Sequence, residues 1–300
     1  MRAVDLFAGC GGFTEGATAT GRVRVVWAGN HWRIACDTHA LNHPETAHVC
    51  QDLQQADWSL VPAHDLLLAS PACQGHSQAR GKDRPHHDAA RSTAWAVVEC
   101  AEYHRPSFVI VENVKDFAKW VLFPAWQHAM SILGYSMSLN YLDAADYGVP
   151  QNRRRLFIIC TRSKNPLKLR DRQGSHLPIA PHIDLAGGQW RTIDDRLALA
   201  TRERIANGRR AYGDRFLISY YGNTKTARSI ERPVGTITTK DRWAIIDGGR
   251  MRMFSVDECR IAMGFRSSYK LPPQSQVAKH MLGNAVCPPL VTEIIREIAA

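Results

Sequence analysis

The chain has 300 residues, of which 45% are hydrophobic, and it carries a formal net charge of +10 at pH 7. This length predicts two domains, or one large domain with a small insert. No apolar run approaches the roughly 18 residues that a membrane-spanning helix needs, so we expect no membrane span. Residues 1–7 enter an apolar β-type run at once and leave no room for a signal peptide, so we expect a cytoplasmic protein without a membrane partner.

The excess of positive charge predicts an anionic partner. It is concentrated in two stretches, 153–172 and 202–232, which flank a segment punctuated by proline, glycine and serine. A basic solvated surface would account for it, but two such stretches favour nucleic acid. The eight cysteines include no Cys-x-x-Cys pair, and His86 and His87 have no spaced partners, so we assign no metal.

Short β-type runs alternate with helical segments over the first half of the chain. Strands are predicted at 4–7, 23–27, 65–69, 108–111 and 156–160, with a helix at 92–104. This alternation predicts an α/β fold, a mostly parallel sheet with helices on both faces. The pattern stops after Ser163, and 163–232 is predicted to be a small irregular lobe.

Regular structure resumes after that lobe. Ser255 and Glu258 have the capping-box spacing and predict a short helix through Met263, and Pro288 and Pro289 precede a helix at 290–298 that packs back on the sheet. We therefore expect a catalytic domain from 1–162 and 233–300.

Three segments near the N-terminus have features of a nucleotide site. Gly9, Gly11 and Gly12 follow the first strand, where a glycine turn can approach a bound ligand, although a tight structural turn explains them almost as well. Trp32 could stack on an adenine or belong to the core. Asp52 closes a β-like run, a position where dinucleotide folds bind ribose or adenine.

Cys73 and Glu112 each follow an apolar run that predicts a strand. In a parallel sheet the carboxyl ends of the strands face one crevice, so a thiol and a carboxyl group would meet there. An isolated cysteine is usually inert, and an isolated glutamate could cap a helix. Together they form a candidate nucleophile and acid. Arg155, near the start of a later strand, has a donor fork that could hold a carbonyl oxygen.

In this order the segments resemble the motifs of the DNA (cytosine-5)-methyltransferase family, whose fold is the Rossmann-like fold of S-adenosylmethionine-dependent methyltransferases. The resembling segments are 5–13, 71–77, 112–114, 151–155, 232–238 and 283–286. They span the chain except for 163–231, where this family has its target-recognition region.

The resemblance implies covalent chemistry on a cytosine that is flipped out of duplex DNA. Cys73 would attack carbon 6, and carbon 5 would then take the methyl group from S-adenosylmethionine. Glu112 would contact ring N3, Arg155 would hold the 2-oxo group, and Asn113 would orient the catalytic loop. Gln74 and Arg153 belong to the same catalytic motifs.

The resemblance also assigns binding residues. Phe7 and Trp32 would sandwich the adenine, Asp52 would reach its amine, and Asn284 would lie near the methionine end. The remaining cofactor residues are Gly9, Cys10, Gly11, Gly12, His31 and Ala285. Thr236 would meet a phosphate, and the other DNA-binding candidates are Ser77, Tyr221 and Asn223, the last two in a loop that we expect to enter a groove.

Two positions depart from the family pattern. Ala72 replaces the usual proline before the nucleophile and should leave the loop more freedom. His31 replaces a glutamate that binds the ribose hydroxyls, so we expect altered cofactor affinity with ordinary chemistry. A His31→Ala variant with unchanged cofactor binding would refute a ribose role for His31.

The sequence also leaves other functions open. The same chemistry could act on a cytosine in transfer RNA, or the chain could be a catalytically weak DNA-binding homologue. A nicotinamide dehydrogenase would explain the glycine turn but would leave Cys73 and the basic lobe without a role. We expect a bacterial or phage-encoded monomer that associates with the nucleoid through DNA and can act beside a restriction endonuclease of the same site.

Overall fold

A computed structural model of the chain describes residues 1–72, 93–221 and 226–299. The chain forms two compact units. The first comprises Met1–Asp143, Arg154–Arg172 and Val286–Ala300, and the second comprises Ala144–Arg153 and Gln173–Ala285. These boundaries differ from the predicted division at 163–232, whose role as a recognition lobe stays a prediction.

The strands, in chain order, are β1 (Arg2–Leu6), β2 (Arg24–Asn30), β3 (Ala47–Cys50), β4 (Leu66–Ala69), β5 (Phe108–Asn113), β6 (Ser136–Asp143), β7 (Arg154–Thr161), β8 (Arg191–Thr192), β9 (Arg215–Ser219), β10 (Ala227–Arg228), β11 (Trp243–Asp247) and β12 (Arg250–Met253). The helices are α1 (Gly12–Thr18), α2 (Arg33–Asn42), α3 (Trp95–His104), α4 (Phe123–Ile132), α5 (Leu199–Tyr212), α6 (Val256–Ala262), α7 (Ser275–Asn284) and α8 (Pro288–Ile298). Among the described residues, no helix combines the length and the apolar character that crossing a bilayer requires.

The first unit contains a seven-stranded sheet in the order β3-β2-β1-β4-β5-β7-β6. The pairs from β3 to β5 are parallel, and β7 runs antiparallel to both β5 and β6. All four residues of β4 are buried, as expected for a central strand that is covered on both faces. The predicted mostly parallel sheet is therefore confirmed. The strands are added on one side from β1 to β3 and on the other side from β4 onward, so the order changes direction between β1 and β4. Folds of this kind bind ligands at such a point, beside the carboxyl ends of the strands.

The predicted C-terminal helix is present as α8 and belongs to the first unit, while its expected packing on the sheet stays a prediction. Helix α8 packs against α1, and two glycines of α1 make this contact close. A Cβ atom on Gly12 would lie 2.2 Å from the carbonyl oxygen of Val286, and one on Gly16 would lie 2.3 Å from that of Pro288. Only glycine allows the two backbones to approach this closely.

The second unit is more regular than the sequence predicts. It contains an antiparallel sheet in the order β10-β9-β11-β12-β8, with α5 packed against β9 and β10. Helix α6 begins at Ser255 with the predicted capping box, in which both reciprocal hydrogen bonds with Glu258 are present. The structure thus confirms the capping box and shows a helix and strands in 163–232 where an irregular lobe was expected.

Candidate active site

The glycine turn begins where β1 ends, and its backbone takes unusual conformations. Phe7 has a φ of 59°, which is left-handed, and Gly9 and Gly11 have φ values of 55° and 93°. The amide of Gly11 donates to the carbonyl oxygen of Ala8 over 2.8 Å, which closes the turn. A left-handed aromatic residue costs conformational energy and persists where its surroundings enforce it. The hydroxyl of Ser70, directly after β4, donates to the Phe7 carbonyl oxygen over 3.1 Å and helps to hold the Phe7 backbone in this conformation.

Cys10 lies inside this turn and is 1% exposed. Burial raises the pKa of its thiol to about 12, so the sulfur stays protonated and uncharged. The side chain of Cys10 is thus part of the buried interior of the turn, and its cofactor role stays a prediction.

Residues 30–32 form a second turn at the carboxyl end of β2. The side-chain oxygen of Asn30 accepts a hydrogen bond from the Trp32 amide over 2.9 Å, and helix α2 begins at the next residue. Trp32 is half-buried, whereas the side chain of His31 is exposed. Asp52 is exposed two residues after β3 ends, where its carboxylate caps a short helical turn by accepting from the Gln54 amide over 3.0 Å. The Phe7, Trp32 and Asp52 positions thus follow three neighbouring strands at one edge of the sheet.

A buried polar network behind the glycine turn was missed by the sequence analysis. Asp5, in β1, is fully buried and accepts a hydrogen bond from the Thr14 hydroxyl over 2.8 Å. Burial raises the pKa of Asp5 to about 7, against the lowering effect of its hydrogen bonds with Thr14. The Thr14 hydroxyl also lies 3.1 Å from Nε2 of His39, whose Nδ1 lies 2.7 Å from Nε2 of His48.

The protons of this network follow from its donors and acceptors. With Asp5 ionised, the single hydroxyl proton of Thr14 goes to Asp5, so His39 must donate from Nε2 and accept at Nδ1 from His48. Burial holds the pKa of His39 well below its ordinary value, and His43 and His48 lower it further. The sequence feature that could have indicated this network is Asp5, an aspartate inside the apolar run of β1, but nothing in the sequence identifies its partners.

Glu112 and Arg155 form an ion pair at the edge of the sheet where β4 and β5 end. The Nε atom of Arg155 lies 3.2 Å from Oε1 of Glu112, and their side chains are 17% and 9% exposed. The guanidinium is further anchored because its Nη1 donates to the carbonyl oxygen of Arg154 over 2.9 Å. A carboxyl group and a donor fork thus face one another in a mostly buried position, with limited freedom for either side chain.

Asn113, the last residue of β5, is 1% exposed. Its side-chain amide donates to the carbonyl oxygen of Pro71 over 3.1 Å. The backbone amide of Ala72 donates to the hydroxyl of Thr93, also over 3.1 Å. The chain on either side of 73–92 is thereby tied to the first unit. Of the predicted site residues, Cys73, Gln74, Ser77 and Asn223 lie outside the described residues.

The second unit holds the other predicted residues. Arg153 is 3% exposed and donates to three backbone carbonyl oxygens over 2.8–3.0 Å. These carbonyls belong to Ile237, Gly283 and Ala285. Arg153 therefore joins two of the resembling segments, and its role in catalysis stays a prediction. Asn284 is exposed at the end of α7, with its side-chain amide 3.3 Å from Nε2 of His280.

The two described DNA-binding candidates are anchored to the second unit. The hydroxyl of Thr236 donates to the carbonyl oxygen of Asn152 over 2.9 Å, and that of Tyr221 donates to the Thr236 carbonyl oxygen over 2.5 Å. The Tyr221 ring packs edge-on against Trp243, and burial raises the pKa of its hydroxyl. The side chain of Tyr221 is thus held inside the unit, and DNA contacts by either residue stay predictions.

Comparison with known proteins agrees with the motif order. The family model described as C-5 cytosine-specific DNA methylase matches residues 1–300. The chain is 28% identical to the Type II methyltransferase M.HhaI of Haemophilus parahaemolyticus, over 95% of this chain and 90% of that protein. It is 30% identical to the Type II methyltransferase M.HgiDI of Herpetosiphon aurantiacus, with the same coverage of both chains.

A solved structure shares the fold. It is described as a DNA modification methyltransferase encoded within an E. coli prophage, and it superposes with a TM-score of 0.73 at 18% identity, covering 100% of this chain and 98% of that one. Since the family model spans every residue and the curated relatives match along nearly their whole length, the chain belongs to the C-5 cytosine-specific DNA methylase family and is a DNA (cytosine-5-)-methyltransferase.

Proposed function

We propose that this enzyme methylates carbon 5 of cytosine in duplex DNA through a covalent bond between Cys73 and carbon 6 of a flipped-out base. The observation that carries the proposal is the Glu112–Arg155 pair, 3.2 Å apart and mostly buried. It lies at the carboxyl end of β5, beside the strand that leads into the Cys73 segment.

In the proposed reaction the Cys73 thiolate adds to carbon 6, and the electron pair of the 5,6 double bond moves into the 4,5 bond. The electron pair of the 3,4 double bond moves onto ring N3, where the 2-oxo group shares the charge, and carbon 5 becomes the nucleophilic carbon of an enamine. Glu112 would protonate or hydrogen-bond N3, and the Arg155 guanidinium would bind the 2-oxo group, so both offset the developing charge. Carbon 5 then accepts the methyl group. Removal of the carbon-5 proton restores the double bond and expels the Cys73 thiolate.

The methyl donor that we propose is S-adenosylmethionine, whose sulfonium supplies the methyl group. The residues at the carboxyl ends of β1 and β2 and just beyond β3 fit an adenosyl group. Phe7 and Trp32 offer aromatic surfaces for the purine, and the exposed Asp52 carboxylate can accept from its amine. The strained left-handed backbone at Phe7 supports a binding role, since such conformations cluster at ligand sites. The other cofactor roles are proposed on the family motifs alone, for Gly9, Cys10, Gly11, Gly12, His31, Asn284 and Ala285.

The mechanism is tested by trapping and by matched substitutions. Duplex oligonucleotides that carry 5-fluorocytosine at the target should become covalently attached to the wild-type enzyme in the presence of S-adenosylmethionine, because the fluorine blocks the final elimination. Cys73→Ser should form no adduct. Arg155→Ala should lose at least about 100-fold in single-turnover rate, since such stabilising donors contribute about 3 kcal/mol.

Arg154→Ala is the control for Arg155, because the two arginines are neighbours but the Arg154 side chain is 84% exposed. We expect its single-turnover rate at saturating DNA to stay within about threefold of wild type. An adduct that survives Cys73→Ser, or equal losses in the two arginine variants, would refute the proposed mechanism.

The substrate and the cellular setting need separate tests. Bisulfite sequencing of plasmid from cells that express the enzyme reports the methylated site, and folded transfer RNA is the competing substrate in parallel assays. Methylation of transfer RNA but not duplex DNA would overturn the DNA proposal. We further propose a monomer, measurable by light scattering, and a restriction endonuclease of the same site, which would cut plasmid from cells that lack this enzyme.

A further inference from the structure

The peptide unit between Pro71 and Ala72 is held at both of its polar groups. Its carbonyl oxygen accepts from the Asn113 side chain over 3.1 Å, and its N–H donates to the Thr93 hydroxyl over 3.1 Å. The two partners come from different places, the end of β5 and the residues just before α3. A peptide unit is planar and rigid, so two bonds on opposite edges fix its orientation.

This arrangement depends on the departure from the family pattern at Ala72. A proline there would have no N–H, so the hydrogen bond to the Thr93 hydroxyl could not form. Proline restrains the chain through its ring, which fixes φ near −65°. Alanine lacks that restraint, which is why a looser loop was expected. The hydrogen bond to Thr93 restrains Ala72 in another way, because it fixes the orientation of the Pro71–Ala72 peptide plane, which the chain leaves toward Cys73.

We propose that Thr93 is a positioning residue, whose hydroxyl replaces the missing proline by fixing the Pro71–Ala72 peptide plane and hence the approach of the next residue, Cys73, to the base. The proposal rests on the proposed role of Cys73 as the nucleophile. In this proposal Thr93 acts through Ala72 and takes no part in bond making.

The test is a double-mutant cycle between positions 72 and 93. Thr93→Val removes the hydroxyl at nearly constant shape and leaves the partly buried Ala72 N–H without this acceptor. We expect kcat and the rate of 5-fluorocytosine adduct formation to fall about five- to tenfold, with an unchanged KM for S-adenosylmethionine. Thr93→Ser keeps the hydroxyl and should stay within about twofold of wild type.

In the Ala72→Pro background there is no N–H to satisfy, so adding Thr93→Val should change the rate less than about twofold. Thr292→Val is the structural control. Its hydroxyl donates to the Gly16 carbonyl oxygen over 2.8 Å, within the same unit and away from the Cys73 segment. It should lower thermal stability without lowering the adduct rate.

The outcomes separate this proposal from the broader one. A wild-type enzyme that forms no adduct would refute the role of Cys73. An active wild type in which Thr93→Val has no effect, or reduces the rate equally with alanine and with proline at position 72, would refute the positioning role of Thr93 alone.

Discussion

Replacing Asp5 by asparagine should make the stability of the first unit less dependent on pH. The pKa of Asp5 is about 7 in the folded protein because of burial, against about 3.9 in an unfolded chain. At low pH the group is protonated in both states. As the pH rises from about 4 toward 7, the unfolded state releases its proton while the folded state keeps it, so the stability contributed by the protonated group is lost.

The size of the effect follows from these two values. Each unit of pKa difference corresponds to about 1.4 kcal/mol, which gives about 4 kcal/mol over the whole interval. Between pH 6 and pH 8 the folded carboxyl group itself ionises, and the loss over that range is about 1.4 kcal/mol. Asparagine can still accept from Thr14 but cannot titrate. Its stability should therefore lack this part of the pH dependence.

Thermal unfolding of both proteins at pH 6, 7 and 8, followed by circular dichroism, measures the difference. A change of 1.4 kcal/mol corresponds to about 3–5 °C in Tm. The neighbouring histidines remain in both proteins, so their contributions cancel when the slopes are subtracted. Asp37→Asn, on the exposed face of α2, is the control and should keep the wild-type slope. Equal slopes for Asp5→Asn and the wild type would refute the titration of Asp5 near neutral pH.

Three further substitutions test packing and buried charge by their effect on Tm. Gly12→Ala places a Cβ atom 2.2 Å from a backbone oxygen just before α8 and should cost about 1–3 kcal/mol of stability. The control Gly249→Ala places its Cβ atom in open space and should be nearly neutral. Equal effects of the two substitutions would contradict the close helix contact. Arg153→Lys cannot reach all three carbonyls and should cost about 2–4 kcal/mol, and an unchanged Tm would show that these bonds contribute nothing. Glu258→Ala removes the buried counter-charge of Arg252, whose guanidinium lies 2.6 Å from the Glu258 carboxylate and whose side chain is 3% exposed, and it should cost about 3–5 kcal/mol. Replacing both residues by apolar ones should recover part of that cost, and no recovery would contradict this explanation.

The sheet of the first unit could be predicted because its strands are continuous apolar runs. Central strands such as β4 are covered on both faces and leave no polar position to interrupt the pattern. The ends could not be predicted as well. Strand β5 continues through Glu112 and Asn113, and β7 begins at Arg154, because hydrogen bonding to neighbouring strands carries polar residues into the sheet. Glu112 and Arg155, which we propose for the chemistry, are therefore residues that hydrophobicity places outside the strands.

The second unit was harder to predict for the opposite reason. Helix α5 has 14 residues, of which four are arginines, and it has no broad apolar stripe. It is stabilised by its contact with β9 and β10, and local sequence contains little of that information. Its arginines belong to the stretch 202–232, whose charge predicts a basic surface, but Arg204 is buried and its guanidinium lies 5.8 Å from the centre of the Tyr220 ring.

Local patterns identified the candidate catalytic residues but not the contacts that position them. Ala72 and Thr93 are 21 residues apart, and neither has a motif that indicates the other. The absence of a proline was visible in the sequence and suggested a looser chain. The hydrogen bond made possible by that absence is visible only when both residues have been placed.

The Asp5 network connects stability with the shape of the glycine turn. The carboxylate holds Thr14 in α1 against β1, on the two sides of the turn that contains Phe7 and Gly9. Burying this group costs stability near neutral pH, yet an apolar residue would remove the acceptor on β1 that binds the Thr14 hydroxyl and would release α1 from the strand. Asp5→Leu should therefore remove the pH dependence, as asparagine does, but should weaken S-adenosylmethionine binding by more than Asp5→Asn, because only asparagine keeps the hydrogen bond to α1. Equal affinities of the two variants, measured by calorimetry, would show that the carboxylate does not order the turn.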